Sequence, residues 1–132
     1  MTTYDRIGSN RRKTVFYIGV FLIFIIGLGY LFSYIYNSPG ILIIAVIIAV
    51  LQALASYFWG DSIALYLTHA NKVEKADNPE LYRIVENLAI TAGIPAPKIY
   101  LINDSSPNAF ATGRDPQHSS VAVTSGLLEI MD

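Results

Sequence analysis

One long uncharged segment constrains this chain more than any other feature. Between Thr14 and Gly60 the sequence contains no Asp, Glu, Lys or Arg, and the apolar run is interrupted once, by a polar turn-forming sequence at residues 37–40. A soluble domain of 132 residues has too little interior to bury such a run. The segment therefore predicts two membrane-spanning helices joined by a tight turn.

The two predicted spans cover residues 15–36 and 41–59. A helix rises about 1.5 Å per residue, so roughly 20 apolar residues cross a hydrocarbon core about 30 Å thick, and both segments reach that length. The first apolar run is longer than the core of a secretory signal peptide, and no Ala-x-Ala-like site follows it. The sequence is thus divided into a basic tail (1–14), a two-helix hairpin (15–60) and a further segment (61–132).

Basic residues predict the orientation of the hairpin. They lie before the first span and after the second, whereas the turn between the spans contains none. Because positive charge is retained on the cytoplasmic side of a membrane, both termini are predicted to be cytoplasmic in a multi-pass protein, and the lipid bilayer is its first predicted partner. The residues concerned are Arg6, Arg11, Arg12, Lys13, Lys72 and Lys75.

Composition excludes several classes of function. The formal net charge is −1, so no strongly basic surface for nucleic acid is indicated, and no nucleic-acid partner is expected. The chain has no cysteine, which excludes disulfides, thiol catalysis and cysteine-based zinc sites.

Beyond Gly60 the patterns predict a small α+β segment. Apolar spacing continues the second span as a one-faced helix as far as Ala70, and residues 71–77 are predicted to be a polar connection. A second helix is predicted from its apolar stripe over 81–92, with Asp77 or Asn78 as its N-cap, Pro79 in its first turn and Gly93 at its end. Strands are predicted over 98–102, 108–112 and 119–124, followed by the start of a helix capped by Ser125.

The last two strands are predicted to form a hairpin. A sheet of about three strands has one or both edges exposed, and an exposed edge binds an extended peptide through backbone hydrogen bonds. Metal chemistry is not indicated, because the two histidines, His69 and His118, are not paired on one helix. His69 is expected near the membrane surface on the extended second helix, and His118 in a polar turn.

Two sequence segments in combination resemble a known family. Residues 107–114 read Pro-Asn-Ala-Phe-Ala-Thr-Gly-Arg, and residues 121–129 read Val-Ala-Val-Thr-Ser-Gly-Leu-Leu-Glu. Together with residues 94–100 and the leading pair of spans, they resemble the HtpX-type membrane zinc metalloproteases, which are relatives of the CAAX-prenyl proteases. The resemblance covers essentially the whole chain.

The resemblance implies a zinc endopeptidase of protein quality control and the stress response in the inner (cytoplasmic) membrane, which cleaves damaged or misassembled membrane proteins. The family holds its zinc through a His-Glu-x-x-His helix and a later glutamate, and the middle glutamate activates the zinc-bound water. That helix follows the segment equivalent to residues 127–132, so this sequence stops before it. We therefore expect an N-terminal fragment with a partial zincin-like cytoplasmic peptidase domain, no catalytic or metal-binding residue, no bound zinc and no activity of its own.

The resemblance also places Asn108, Ala109 and Phe110 on an edge strand that aligns the substrate backbone. From the residues alone, Phe110 can instead be a core residue and Asn108 a turn residue. A second function also stays open, in which the chain is a complete small membrane anchor or adaptor that binds peptides at a sheet edge without cleaving them. A His-Glu-x-x-His sequence encoded soon after Asp132 would favour the protease. Oligomeric state is not indicated.

Overall fold

The computed structural model describes residues 3–131 and divides into two compact units, residues 1–58 and 59–132. Three residues lie outside the described residues. They are Met1 and Thr2, the first two residues of the predicted tail, and Asp132, the last residue of the predicted 61–132 segment. The predicted fold class, two apolar helices followed by a small α+β arrangement, is confirmed. The elements are α1 (Thr3–Ile35), α2 (Pro39–Leu67), β1 (Asn71–Lys72), α3 (Pro79–Ala92), β2 (Lys98–Ile102), β3 (Ala109–Gly113), a 3₁₀ turn (Pro116–His118), β4 (Ser119–Thr124) and α4 (Ser125–Ile130).

The first unit is a helical hairpin. Both helices are long and apolar enough to cross a membrane. α1 already begins at Thr3, so the described part of the predicted basic tail is helical and continuous with the first span. The turn is shorter than predicted, because Pro39 and Gly40 belong to α2, where proline is accommodated in the first turn. Asn37 supplies the reversal with a left-handed backbone, φ 47°.

Small residues allow close contact within the hairpin. Gly29 is buried against α2, and a Cβ added to it would overlap the Cβ of Ala45. Ala49, one turn further along α2, has no exposed surface. Close approach of the two backbones therefore depends on the absence of a side chain at Gly29.

Replacing Gly29 by leucine is expected to widen the hairpin by about 2 Å or more, because the separation of packed helices follows the size of the contacting side chains. The chain has no cysteine, so spin labels can be attached to introduced cysteines at exposed Val20 and Leu51, and their separation measured by pulsed electron paramagnetic resonance. Gly27→Leu is the matched control, since Gly27 has no atom near its would-be Cβ. Equal separations in the two variants would contradict the contact.

The second unit contains a four-stranded mixed sheet in the order β1-β2-β4-β3. β2 runs parallel to β4, while β1 and β3 run antiparallel to β2 and β4 respectively. The predicted hairpin of the last two strands and the bounds of β2 and β4 are confirmed, and β3 begins one residue later than predicted. The prediction of a polar connection over residues 71–77 is wrong for its first two residues. These two residues form β1, which is polar and exposed and so carries no apolar pattern.

Helix α3 covers one face of this sheet. Its predicted ends are confirmed: the Asn78 side chain accepts a hydrogen bond from the Leu81 N–H at 3.1 Å, and Gly93 ends the helix at φ 68°. The core cluster contains Val73, Leu81, Ile99 and Val123. The packed stripe is narrower than predicted, because Ile84 and Leu88 are 45% and 64% exposed.

The continuation of the second span also differs from prediction. α2 ends at Leu67, so Ala70 is not helical. On the face predicted to be apolar, Tyr66 and Leu67 are exposed, while Leu65, which lies outside the predicted apolar face, is buried. His69 consequently lies in a turn after the helix, with a left-handed backbone at φ 54°, and the prediction that it lies on the helix is wrong.

Candidate functional site

Strand β3 forms an open edge of the sheet. Within residues 3–131 it pairs with β4 alone. At the start of the pairing, the Asn108 carbonyl accepts a hydrogen bond from the Thr124 N–H at 3.0 Å. Hydrogen-bonded and non-hydrogen-bonded pairs alternate along an antiparallel ladder, so Phe110 directs its backbone groups toward β4. Ala109 and Ala111 direct theirs toward the open edge.

The residues predicted to bind substrate lie at the beginning of this edge. Asn108 and Ala109 are exposed, and Phe110 is half-buried. The Asn108 Oδ1 accepts a hydrogen bond from the Ala109 N–H at 2.9 Å. The outward-facing groups left to pair with another chain are therefore the Ala109 carbonyl and both backbone groups of Ala111.

A cavity adjoins the start of β3. Phe110 lines it, is half-buried and is not among the residues of the core cluster. The cavity lies beside the first residues of β3, Ala109 and Phe110. Its lining consists of Thr68, Ile102, Asp104, Asn108, Ala109, Phe110 and Thr124.

The buried hydroxyl of Thr124 holds the beginning of the edge in place. Its Oγ1 accepts hydrogen bonds from the Asn108 N–H at 2.9 Å and from the Leu127 N–H at 3.2 Å, and it donates to the Ser106 carbonyl at 2.7 Å. Thr124, rather than the predicted Ser125, is thus the N-cap of α4. Sequence reasoning missed this residue, although a threonine just before an apolar helical segment is an N-cap signal.

The loop before β3 is anchored on the first turn of α4. The Asp104 carbonyl accepts hydrogen bonds from the Gly126 N–H and the Ser125 hydroxyl, both at 2.9 Å. Gly126 is buried, and a Cβ added there would overlap the backbone of Ser105. Glycine is required at this position by the closeness of the loop, not by an unusual φ angle.

The other end of β3 turns into β4 through a polar connection. Gly113 has φ 146°, and a Cβ there would overlap the His118 carbonyl. Asp115 caps the 3₁₀ turn, accepting from the His118 N–H at 2.8 Å and meeting the His118 Nδ1 at 2.7 Å. Partial desolvation acts to raise the pKa of Asp115, but the hydrogen bonds from His118 outweigh it and the pKa lies below its usual value.

The histidines do not provide a zinc site. His118 is engaged by Asp115 in the β3–β4 connection, and His69 is exposed in the turn after α2. Among the described residues no three His, Cys, Asp or Glu side chains lie close enough to hold a metal ion. A tetrahedral zinc site needs three or four such ligands, so the residues present do not fit the metal that the resemblance implies.

Comparison with known proteins supports the resemblance. Residues 75–132 match the family described as "Peptidase family M48". The chain is 45% identical to the "Protease HtpX homolog" of Lactobacillus acidophilus, 44% identical to that of Lactobacillus helveticus and 42% identical to that of Tropheryma whipplei. Each match covers 98% of this chain and 44% of the relative.

A solved structure is also similar. It is the crystal structure of S. mikatae Ste24p, at 22% identity with a TM-score of 0.46, and the match covers 92% of this chain and 30% of that one. The chain spans less than half the length of the relatives it matches. Across almost its whole length the sequence is similar to proteases described as HtpX homologs, and its residues 75–132 match peptidase family M48.

Proposed function

We propose that this chain supplies the membrane anchor and the substrate-aligning edge of a membrane-bound zinc endopeptidase. The observation that carries the proposal is the open edge of β3, which presents the backbone groups of Ala109 and Ala111. An extended peptide adds to such an edge as a further strand, and its backbone hydrogen bonds make recognition nearly independent of sequence. Asn108, Ala109 and Phe110 are the residues proposed to align it.

The cavity beside β3 would add selectivity to this pairing. Alternate side chains of a paired strand project to the same face, and one of them would enter the cavity that Phe110 lines. Because the cavity lining includes the apolar residues Ile102, Ala109 and Phe110, a small or apolar side chain fits it better than a charged one. Damaged or misassembled membrane proteins, the proposed substrates in protein quality control, expose such segments.

Zinc would supply the hydrolytic chemistry in the whole protein. The family resemblance implies ligands and a general base on a His-Glu-x-x-His helix, a motif that the 132-residue sequence does not contain. The proposed part of residues 1–132 is to bind and orient the peptide backbone. The family resemblance also supports the proposals that the membrane is the inner (cytoplasmic) membrane and that both termini are cytoplasmic.

The edge is tested by Ala111→Pro. Proline removes the outward-facing N–H and places its ring on the open edge, while no hydrogen bond to β4 is lost. Binding of a fluorescein-labelled extended apolar peptide to the full chain in detergent micelles, measured by polarisation, is expected to weaken about tenfold, which corresponds to the net contribution of one hydrogen bond. Ala111→Ser keeps the N–H and is expected to bind like the wild type. Equal affinities for both variants would exclude β3 as the binding edge.

The rival function, an adaptor that binds without cleaving, shares this edge but not the zinc. For residues 1–132 we expect no stoichiometric zinc by elemental analysis and no cleavage of casein in detergent. One tightly held zinc per chain, together with casein cleavage that a chelator abolishes, would overturn the proposal that zinc binding and hydrolysis belong to residues outside 1–132. If the longer protein that contains this chain binds peptides but does not bind zinc and does not cleave casein, the adaptor is favoured.

A further inference from the structure

The N-terminal part of α1 carries a cluster of positive charge that the proposed function does not use. We call the four residues Arg6, Arg11, Arg12 and Lys13 the basic band. They lie on one continuous helix, which runs without a break into the apolar span. Arg11, Arg12 and Lys13 are exposed, and among residues 5–131 they form no ion pair, whereas Lys72 and Lys75 are paired with Glu74 and Glu86.

The basic band extends over more than half of the circumference of the helix instead of forming a narrow stripe. An α-helix turns about 100° per residue, so Arg11, Arg12 and Lys13 point in three well-separated directions, and Arg6 points close to the direction of Lys13. A helix that lies flat on a membrane, or that docks on one acidic protein face, needs its charges on one side. Charges spread this widely around the helix match a helix that has headgroups around it as it leaves the bilayer.

The height of the basic band matches the headgroup layer. From Arg6 to Lys13 the helix rises by about 10 Å, while the headgroup layer on each side of a bilayer is about 5–8 Å thick. From Lys13 to Ile35 the rise is roughly 33 Å, close to the thickness of the hydrocarbon core. The band is therefore at headgroup level when the apolar part of α1 fills the core.

Neighbouring side chains agree with this depth. A Cβ added to Gly8 would lie 3.7 Å from Nη1 of Arg12, so the guanidinium reaches back along the helix, away from the apolar span. Phe16 and Tyr17 follow directly on the apolar side, both exposed, as aromatic residues do at the boundary between headgroups and hydrocarbon. At the opposite end α1 has no basic residue in its last turn.

From this placement we propose that the basic band binds the phosphate-bearing headgroups of anionic phospholipids. The positive charge of the basic band is complementary to headgroup phosphates that carry no compensating ammonium group. Guanidinium groups bind such phosphates in a bidentate geometry. Because the charges extend over more than half of the helix circumference, they enrich anionic lipids among the lipids that contact α1 in the headgroup layer of one face of the bilayer.

The test uses the full chain reconstituted in phosphatidylcholine vesicles that contain a trace of spin-labelled phosphatidylglycerol or spin-labelled phosphatidylcholine. The motionally restricted fraction of each label gives their relative association with the protein. The wild type is expected to prefer phosphatidylglycerol about fivefold, the scale set by one basic residue at a membrane surface. The variant Arg11→Gln/Arg12→Gln/Lys13→Gln is expected to lose this preference.

The matched control is Lys72→Gln/Lys75→Gln/Arg83→Gln, which removes the same charge from the second unit and is expected to keep the wild-type preference. Arg11→Lys/Arg12→Lys keeps the charge and is expected to retain most of the preference for phosphatidylglycerol.

Salt at about 1 M, where the screening length is about 3 Å, is expected to reduce the preference in the wild type itself. A wild type without preference, or equal losses in the two triple variants, would overturn the proposal. The salt arm remains decisive if a variant fails to fold.

Discussion

Replacing Gly126 by alanine is expected to unfold much of the second unit. The added methyl group would overlap the backbone of Ser105, which cannot move aside without breaking the hydrogen bond from the Gly126 N–H to the Asp104 carbonyl. Overpacking against backbone costs about 3 kcal/mol, at the upper end of the usual range. A unit of this size is stabilised by only a few kcal/mol, so a loss of that size removes most of its stability.

Pulse proteolysis of the full chain in micelles, across a series of urea concentrations, measures this loss. The urea concentration at which half of the second unit is cleaved is expected to fall by about 2 M or more. The reason is that the free energy of unfolding of a small domain decreases by about 1 kcal/mol for each molar of urea. Gly60→Ala is the control, because Gly60 lies in α2 with no atom near its would-be Cβ, and alanine favours a helix. If Gly126→Ala melts like Gly60→Ala, the loop does not pack on α4 as described.

Replacing Thr124 by valine is expected to cost about 3 kcal/mol, although the two side chains have the same shape. The variant loses the N-cap of α4, which contributes about 1 kcal/mol. It also leaves the Asn108 N–H and the Ser106 carbonyl without their partner next to a residue that is 4% exposed, and each such loss costs about 1–3 kcal/mol. Thr124→Ser keeps the hydroxyl and is expected to lose about 1 kcal/mol or less.

Hydrogen exchange distinguishes this effect from a general loosening. In Thr124→Val, amides at the start of β3 and in α4 are expected to exchange about 100-fold faster, which corresponds to roughly 3 kcal/mol of lost protection. Amides of α1 should exchange as in the wild type, since they lie in the other unit. Wild-type exchange at Asn108 and Leu127 in the valine variant would show that the hydroxyl is not what holds the edge.

Local signals predicted much of the second unit. The bounds of α3 followed from its cap, its proline and its terminal glycine, and β2 and β4 followed from short runs of β-branched and aromatic residues. The signals that determine these elements lie within the elements themselves or within a few residues of their ends. The same holds for the hairpin of β3 and β4, because a short polar connection joins neighbouring strands.

The parts that could not be predicted depend on distant partners. β1 is two polar residues that become a strand only because β2 offers an edge to them. The narrow packed face of α3 and the burial of Leu65 depend on how far the sheet extends, which no local periodicity encodes. At the candidate site the edge position of Asn108, Ala109 and Phe110 came from the family resemblance, whereas the anchoring by Thr124 and Gly126 joins segments that no motif connects.

The strand order has a consequence for the synthesis of this protein. Of the four described strands, β4 is made last, yet it lies in the interior of the sheet and pairs with both β2 and β3. While the ribosome is still adding residues before Ser119, β2 and β3 have no shared neighbour, and the apolar hairpin has already been translated. A nascent chain is thus held at the membrane while its sheet is still unassembled. It exposes unpaired, aggregation-prone strand edges until Thr124 has emerged from the ribosome.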